Sequence, residues 1–234
     1  MNWCDIIFVE VIELKIELSD FVIESDKDVD YINDVISTLE SGTSDILNFF
    51  ELEKLSKKKL VRVFTDREKY KEHMLKFVPI FKEWMCADVY DGNINLLDIA
   101  EARKSEEHKD MDLDEFEKCI LHEFVHACQQ EIYSNSGGNS WYWEALATNL
   151  SGQHYNLRDL SNCDFNSLQK DFYNTKYNYS YSFTLGNFMI KNYSKNELLE
   201  YIRNPGLLKD NANNIFELAK KAQLEEKATI HEIK

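Results

Sequence analysis

The chain has 234 residues, of which 42 are Asp or Glu and 27 are Lys or Arg, a formal net charge of −15 at pH 7. That balance excludes a general phosphate-backbone binder, whose affinity comes from Lys and Arg neutralising phosphates, and it disfavours an anionic membrane surface. With 44% hydrophobic and 13% aromatic residues the chain carries enough apolar surface for a sizeable core, and its length suits one domain.

Five cysteines, Cys4, Cys86, Cys119, Cys128 and Cys163, form no C-x-x-C pair. An odd number cannot all pair within the chain, so a reduced, cytoplasmic setting is expected. The first residues lack a basic stretch, and Asp5, Glu10 and Glu13 interrupt their apolar run, which predicts no signal peptide. Nowhere do about 18 apolar residues run together, so no membrane-spanning helix is expected.

From Val9 to Leu18 charged and apolar residues alternate, the period of a half-buried strand. Val29, Ile32, Val35, Ile36 and Leu39 then recur at helical spacing, with Ser25 or Asp26 as the N-cap and Gly42 as the stop. Ile46 to Leu55 reads as a second helix. Leu60 to Phe64 reads as a strand, preceded by Lys57-Lys-Lys59 as a solvated lead, and Asp66 can cap a helix carrying Tyr70, Met74 and Phe77. Asp91-Gly92-Asn93 marks a turn between Ala87–Tyr90 and Ile94–Ile99, which predicts a hairpin. The charged stretch from Glu101 to Asp112 reads as a solvated connection.

From Asp114 the pattern becomes helical through about Tyr133, Gly137-Gly138 breaks it, and a new helix starts near Trp141. Further helices are predicted over Phe165–Phe172, Tyr179–Tyr193, Lys195–Ile202 and Asn211–Ala222. Ser194 and Glu197 have the spacing of a capping box at the third of these. The expected architecture is α+β: an N-terminal lobe with a small twisted mixed sheet plus helices, then a mainly helical C-terminal lobe. Its segments are a strand and helix extension over 1–57, a sheet lobe over 58–135 and a helical lobe over 136–234.

His122-Glu123-Phe124-Val125-His126 matches H-E-x-x-H within the helical stretch after Asp114. Residues four apart share a helix face, so two imidazoles can converge on one Zn²⁺ while Glu123 points toward the metal's water. Catalytic zinc takes a third protein ligand, and the downstream candidates are Glu131, Glu144, His154 and Asp159. Glu131, five residues past His126, faces away. Glu144 sits in the apolar string Trp141-Tyr-Trp-Glu-Ala-Leu-Ala147, where an unpaired carboxylate is costly and a metal would neutralise it. It is the favoured ligand, with His154 second. Cys119, one turn before His122, and Trp141 and Trp143 read as packing residues.

His122-Glu-Phe-Val-His126, followed 18 residues later by Glu144 in Trp-Tyr-Trp-Glu-Ala-Leu-Ala, resembles the gluzincin metallopeptidases, and especially their peptidase MA-like branch, whose third ligand sits in a W-x-x-E-G-x-A string. Ala145 stands here where that family usually has Gly. Tyr179-Ser-Tyr-Ser-Phe-Thr-Leu-Gly-Asn-Phe188 is similar to the tyrosine-bearing helix start beyond the zinc site, and Leu60–Phe64 and Gly92–Leu96 to the strands before it. The likeness covers roughly 58–203.

It implies a zincin-like fold and a zinc-dependent peptide-bond hydrolase acting on a peptide or protein substrate, with Glu123 as general base. It further implies Tyr179 as oxyanion donor, with Tyr181 as its alternative. The segment Ile94–Ile99 reads as an exposed edge strand that pairs with an extended substrate. No Gly-Ala-Met-Glu-Asn-like string occurs, so endopeptidase action is the expectation. Thr148 stands where some gluzincins place an Asp that orients a zinc histidine, which leaves that partner open. Two alternatives stand beside this reading. One is a regulatory zincin-like protease acting on a repressor partner, which Glu144–Asn149 faintly resembles, and the other is a non-catalytic zinc-binding protein of the same fold.

Overall fold

The computed structural model describes residues 12–90 and 92–232. Cys4, the first residues of the Val9–Leu18 strand and Asp91 of the predicted turn lie outside them. Five strands form one sheet in the order β1 (Leu14–Glu17), β2 (Phe21–Ser25), β3 (Lys59–Phe64), β5 (Asn93–Leu97), β4 (Ala87–Tyr90). β2, β3 and β5 run parallel, and β1 and β4 lie antiparallel at the two edges.

The two-residue period sets the faces. Ile23, Val61 and Ile94 are register partners, as are Val63 and Leu96, and all are fully buried under the main core. The alternate positions form a polar row, Lys15, Glu24, Arg62, Asn95 and Asp88, along which Glu24 pairs with Lys15 at 3.1 Å and Arg62 at 3.5 Å. A smaller cluster, Phe64 and Leu97 with Tyr70 and Met74 of α3 (Arg67–Met74), covers part of that face.

The β2 strand is absent from the sequence reading, and its presence moves the first helix. Ser25 ends the strand, and Asp26 accepts from Thr65 N–H at 3.0 Å and from Thr65 Oγ1 at 2.8 Å instead of capping a helix. Helix α1 starts only at Ile32 and runs to Ser41. Helix α2 (Thr43–Phe50) stops short of Leu55 because Glu51 turns left-handed at φ 59°. Asp66 caps α3 as its spacing predicts, by accepting from the backbone N–H of Glu68 and Lys69, but the helix ends before Phe77.

Three further expectations are corrected. The segment Ile94–Ile99 is no exposed edge: β5 is paired on both sides, and β4 is the edge beside it. Ile94, Leu96 and Leu97 are fully buried, the two-sided apolar burial of an interior strand. Lys59 is not solvated either, for its Nζ pairs with Glu131 at 2.8 Å and both side chains are largely buried. The stretch after Ile99 opens with the short helix α4 (Ile99–Ala102) and buries Ser105 and Met111, so it is only partly a solvated connection.

Helix α5 (Leu113–Ile132) is 20 residues long and starts on Asp112, whose side chain accepts from Glu115 N–H at 2.8 Å. It lays Phe116, Ile120, Phe124 and Cys128 into the core. Gly137 and Gly138, at φ 59° and 81°, turn the chain into α6 (Ser140–Leu150). Beyond it come α7 (Phe165–Lys170), α8 (Asn178–Asn192), α9 (Lys195–Arg203) with the Ser194/Glu197 capping box in place, and α10 (Pro205–Glu232). α10 starts before the predicted Asn211 because Pro205 suits the first helical position.

Helices α6 and α8 touch where Gly186 faces the Ala145 carbonyl: a Cβ there would sit 2.3 Å from that oxygen. No helix among the described residues is long and apolar enough to cross a membrane. Cys86, Cys119, Cys128 and Cys163 are unbridged.

Candidate metal centre

Helical spacing places His122 and His126 one turn apart on α5, and the reversal at Gly137-Gly138 lays α6 alongside, with Glu144 facing them. His122 Nε2 and His126 Nε2 are 3.1 Å apart, and Glu144 Oε2 lies 3.1 Å from the first and 3.5 Å from the second. Three ligands at about 2.0–2.1 Å from one tetrahedral ion stand about 3.3 Å from each other, so the triangle already has the size of a metal site. All three residues are buried, and they are the one His/Cys/Asp/Glu group of this kind among the described residues.

The outer ring nitrogens fix which inner atoms are free. His122 Nδ1 lies 2.7 Å from Gln153 Oε1 and His126 Nδ1 lies 2.7 Å from Gln129 Oε1. Each amide is oriented by its own donor group: Gln129 Nε2 donates to Trp143 O at 3.1 Å, and Gln153 Nε2 to Cys119 Sγ at 3.4 Å. With Nδ1–H donating outward, both Nε2 lone pairs point inward at a carboxylate oxygen that no hydrogen bond satisfies. Such a convergence of lone pairs is stable only around a proton or a cation, and the buried His122, His126 and Glu144 can therefore hold a metal ion.

The charges agree. Burial raises the Glu144 carboxyl, but the two imidazoles override it and hold it down at about 2. Burial lowers the His126 imidazole, but Glu144 overrides that and lifts it to about 9. Glu123, also buried, is raised above the ordinary carboxylate range by desolvation, against the pull of the two histidines.

A cavity of about 650 Å³ opens beside the cluster, and His122 and Glu123 line it. Tyr179 lines it too, with its ring edge-on to Trp84 at 6.2 Å and stacked on Tyr155 at 6.1 Å. Burial and nearby Glu144 raise the Tyr179 hydroxyl well above its usual range, so it stays protonated. Tyr181 is not among the lining residues, and its hydroxyl donates to Asn162 O at 3.1 Å.

His154 lines the cavity without joining the ligand group, Glu131 is engaged by Lys59, and Asp159 pairs with Lys227 at 2.6 Å. Trp143 stacks on His126 at 6.2 Å, and Trp141 is fully buried. Thr148 donates to the Glu144 carbonyl at 2.7 Å and takes no part in orienting a histidine. That role falls to Gln129 and Gln153, which the sequence reading missed. Gln129 lies three residues past His126 and was accessible to helical spacing, whereas Gln153 lies 31 residues from His122 and carries no local signal.

No protein-family model matches the chain, and no curated protein matches it either. The fold and the cluster together define an α+β protein with a buried His/His/Glu group suited to a metal ion.

Proposed function

We propose that this chain is a zinc-dependent peptide-bond hydrolase of the gluzincin kind, acting as an endopeptidase. The observation that carries the reading is the 3.1–3.5 Å triangle of His122, His126 and Glu144 beside a buried Glu123 that lines the cavity together with His122. Two imidazoles and one carboxylate are the donor set of catalytic zinc, which keeps a fourth position for water.

A zinc ion held by His122, His126 and Glu144 would lower the pKa of a water toward about 7 and polarise a carbonyl. The chain's own groups do the rest. Glu123, whose carboxyl burial holds above the ordinary carboxylate range, acts as the base: it takes the proton of the attacking water and returns it to the departing amine. Tyr179, protonated and facing the cavity, donates a hydrogen bond to the oxyanion that forms on the scissile carbonyl. Gln129 and Gln153 keep both imidazoles in the tautomer that leaves Nε2 free. β4 is the last strand of the sheet among the described residues and has Ala87 on the cavity wall, so an extended substrate can align along it.

The test is cleavage of a mixed peptide library by protein stripped with chelator and reloaded with zinc. Hydrolysis that returns with zinc, and is lost in Glu123→Gln at equal metal content, supports the reading. Equal cleavage by Glu123→Gln and wild type contradicts it.

A further inference from the structure

The cavity beside the metal group has walls that hydrolysis itself does not require. One is acidic: Glu107, from the loop before α5, with Asp112, Asp114 and Glu115 from its start, all line the space. Lys118 is the one lysine or arginine among the described lining residues, and it pairs with Asp114 at 2.5 Å. Acids in a first helical turn also complement the helix dipole, and Asp112 spends an oxygen on the Glu115 N–H. Those roles do not account for Glu107, which precedes the helix.

The other wall is aromatic, built from Trp84, Tyr155, Tyr173 and Tyr179. Ring faces attract cations, and Lys82 already places its ammonium 5.8 Å from the Trp84 ring. Between the walls Glu123, 8% exposed, lines the cavity with no hydrogen-bond partner among the described residues. That carboxylate opens onto the space and adds its negative charge to the acidic wall. Both walls favour positive charge.

Resting on the hydrolase reading, we propose that the cavity selects cationic peptides, with a substrate Lys or Arg side chain seated at the Glu107/Glu115 wall. Helical rise fixes where. Glu115 precedes His122 by seven residues, about 10 Å along α5, which is about three residues of extended peptide. The selected Lys or Arg therefore lies two or three residues from the bond that is cut.

Binding separates this proposal from the hydrolase reading. The zinc-loaded Glu123→Gln protein is titrated by fluorescence anisotropy with three labelled heptapeptides, identical except for Lys, Gln or Glu at the positions two and three from the centre. The Lys peptide binds about tenfold tighter than the Gln peptide at low salt, as expected for a few exposed charge pairs, and the gap narrows at 0.5 M salt. Adding Glu107→Lys and Glu115→Lys inverts the order, and Glu107→Gln alone, at an exposed loop position, reduces it. Equal affinities, or no binding of any peptide, overturn the proposal. A Lys preference without cleavage by the protein retaining Glu123 overturns the hydrolase reading and leaves the preference standing, whereas cleavage indifferent to charge overturns the preference alone.

Discussion

Gln129 holds His126 across one helical turn: its Oε1 lies 2.7 Å from Nδ1, and its amide nitrogen reaches the carbonyl of Trp143, the neighbour of Glu144. One side chain thus couples the histidine helix to the glutamate helix. Gln129→Ala removes both contacts and leaves a buried N–H and a buried carbonyl unsatisfied. Zinc affinity measured by chelator competition falls about 10–100-fold, the usual cost of losing such a partner. Gln129→Glu, which keeps the acceptor for Nδ1, retains most of it. Thr148→Ala leaves zinc affinity unchanged, because that hydroxyl bonds its own helix backbone.

Metal uptake displaces a proton. Without metal, His126 holds its proton up to about pH 9 against an ordinary 6.5, so the stability this contributes is complete below 6.5 and is lost as pH rises through 9. Glu144, at about 2 against an ordinary 4.5, contributes stability that is present above 4.5 and is lost as pH falls through 2. For this pair the metal-free protein is most stable between about pH 4.5 and 6.5. A metal needs neutral His126, so binding at pH 7 releases about one proton and tightens as pH rises toward 9. Calorimetric zinc titrations in two buffers of different ionisation enthalpy count that proton.

The two candidate tyrosines separate cleanly. Tyr179→Phe lowers kcat about a hundredfold or more with zinc content unchanged, the scale of a lost oxyanion donor. Tyr181→Phe removes a bond to the Asn162 carbonyl and leaves kcat unchanged, with a stability loss of about 1 kcal/mol. Steady-state kinetics with thermal melts distinguish the two.

The contact that seats Glu144 is steric. Gly186 of α8 lies against the Ala145 carbonyl so closely that a Cβ would fall 2.3 Å from the oxygen and 2.4 Å from the Asn149 amide. Gly186→Ala forces the two helices apart, costs about 1–3 kcal/mol of stability and weakens zinc binding through displaced Glu144. Denaturant melts and chelator competition read the two effects separately.

Local rules made the site's frame legible in the sequence. The H-E-x-x-H spacing fixes a helix face, Gly137-Gly138 reverses the chain, and a carboxylate inside Trp141-Tyr-Trp-Glu-Ala-Leu-Ala147 carries a burial cost that a metal would offset; the structure brings His122, His126 and Glu144 together. The Asp66 cap and the Ser194 capping box were equally local. What depended on pairing was not legible. The five-residue β2 run ends in Ser25, and Ser25-Asp26 mimics a helix cap until β3 is known to lie beside it. Ile94–Ile99 took the edge position in the reading because nothing local shows that β4 lies outside β5. Gln153 reaches His122 only through the turn after α6, and the burial of Lys59 follows from Glu131, 72 residues away.

The metal group is the premise on which the base, the oxyanion donor and both glutamines depend. Elemental analysis of zinc bound per chain at pH 7.5, in wild type and in Glu144→Ala dialysed against the same zinc buffer, tests it most directly. The account predicts one zinc per wild-type chain and a loss of most of it in Glu144→Ala, with the fold intact by circular dichroism. No zinc in the wild type, or one zinc retained in both proteins, would contradict it.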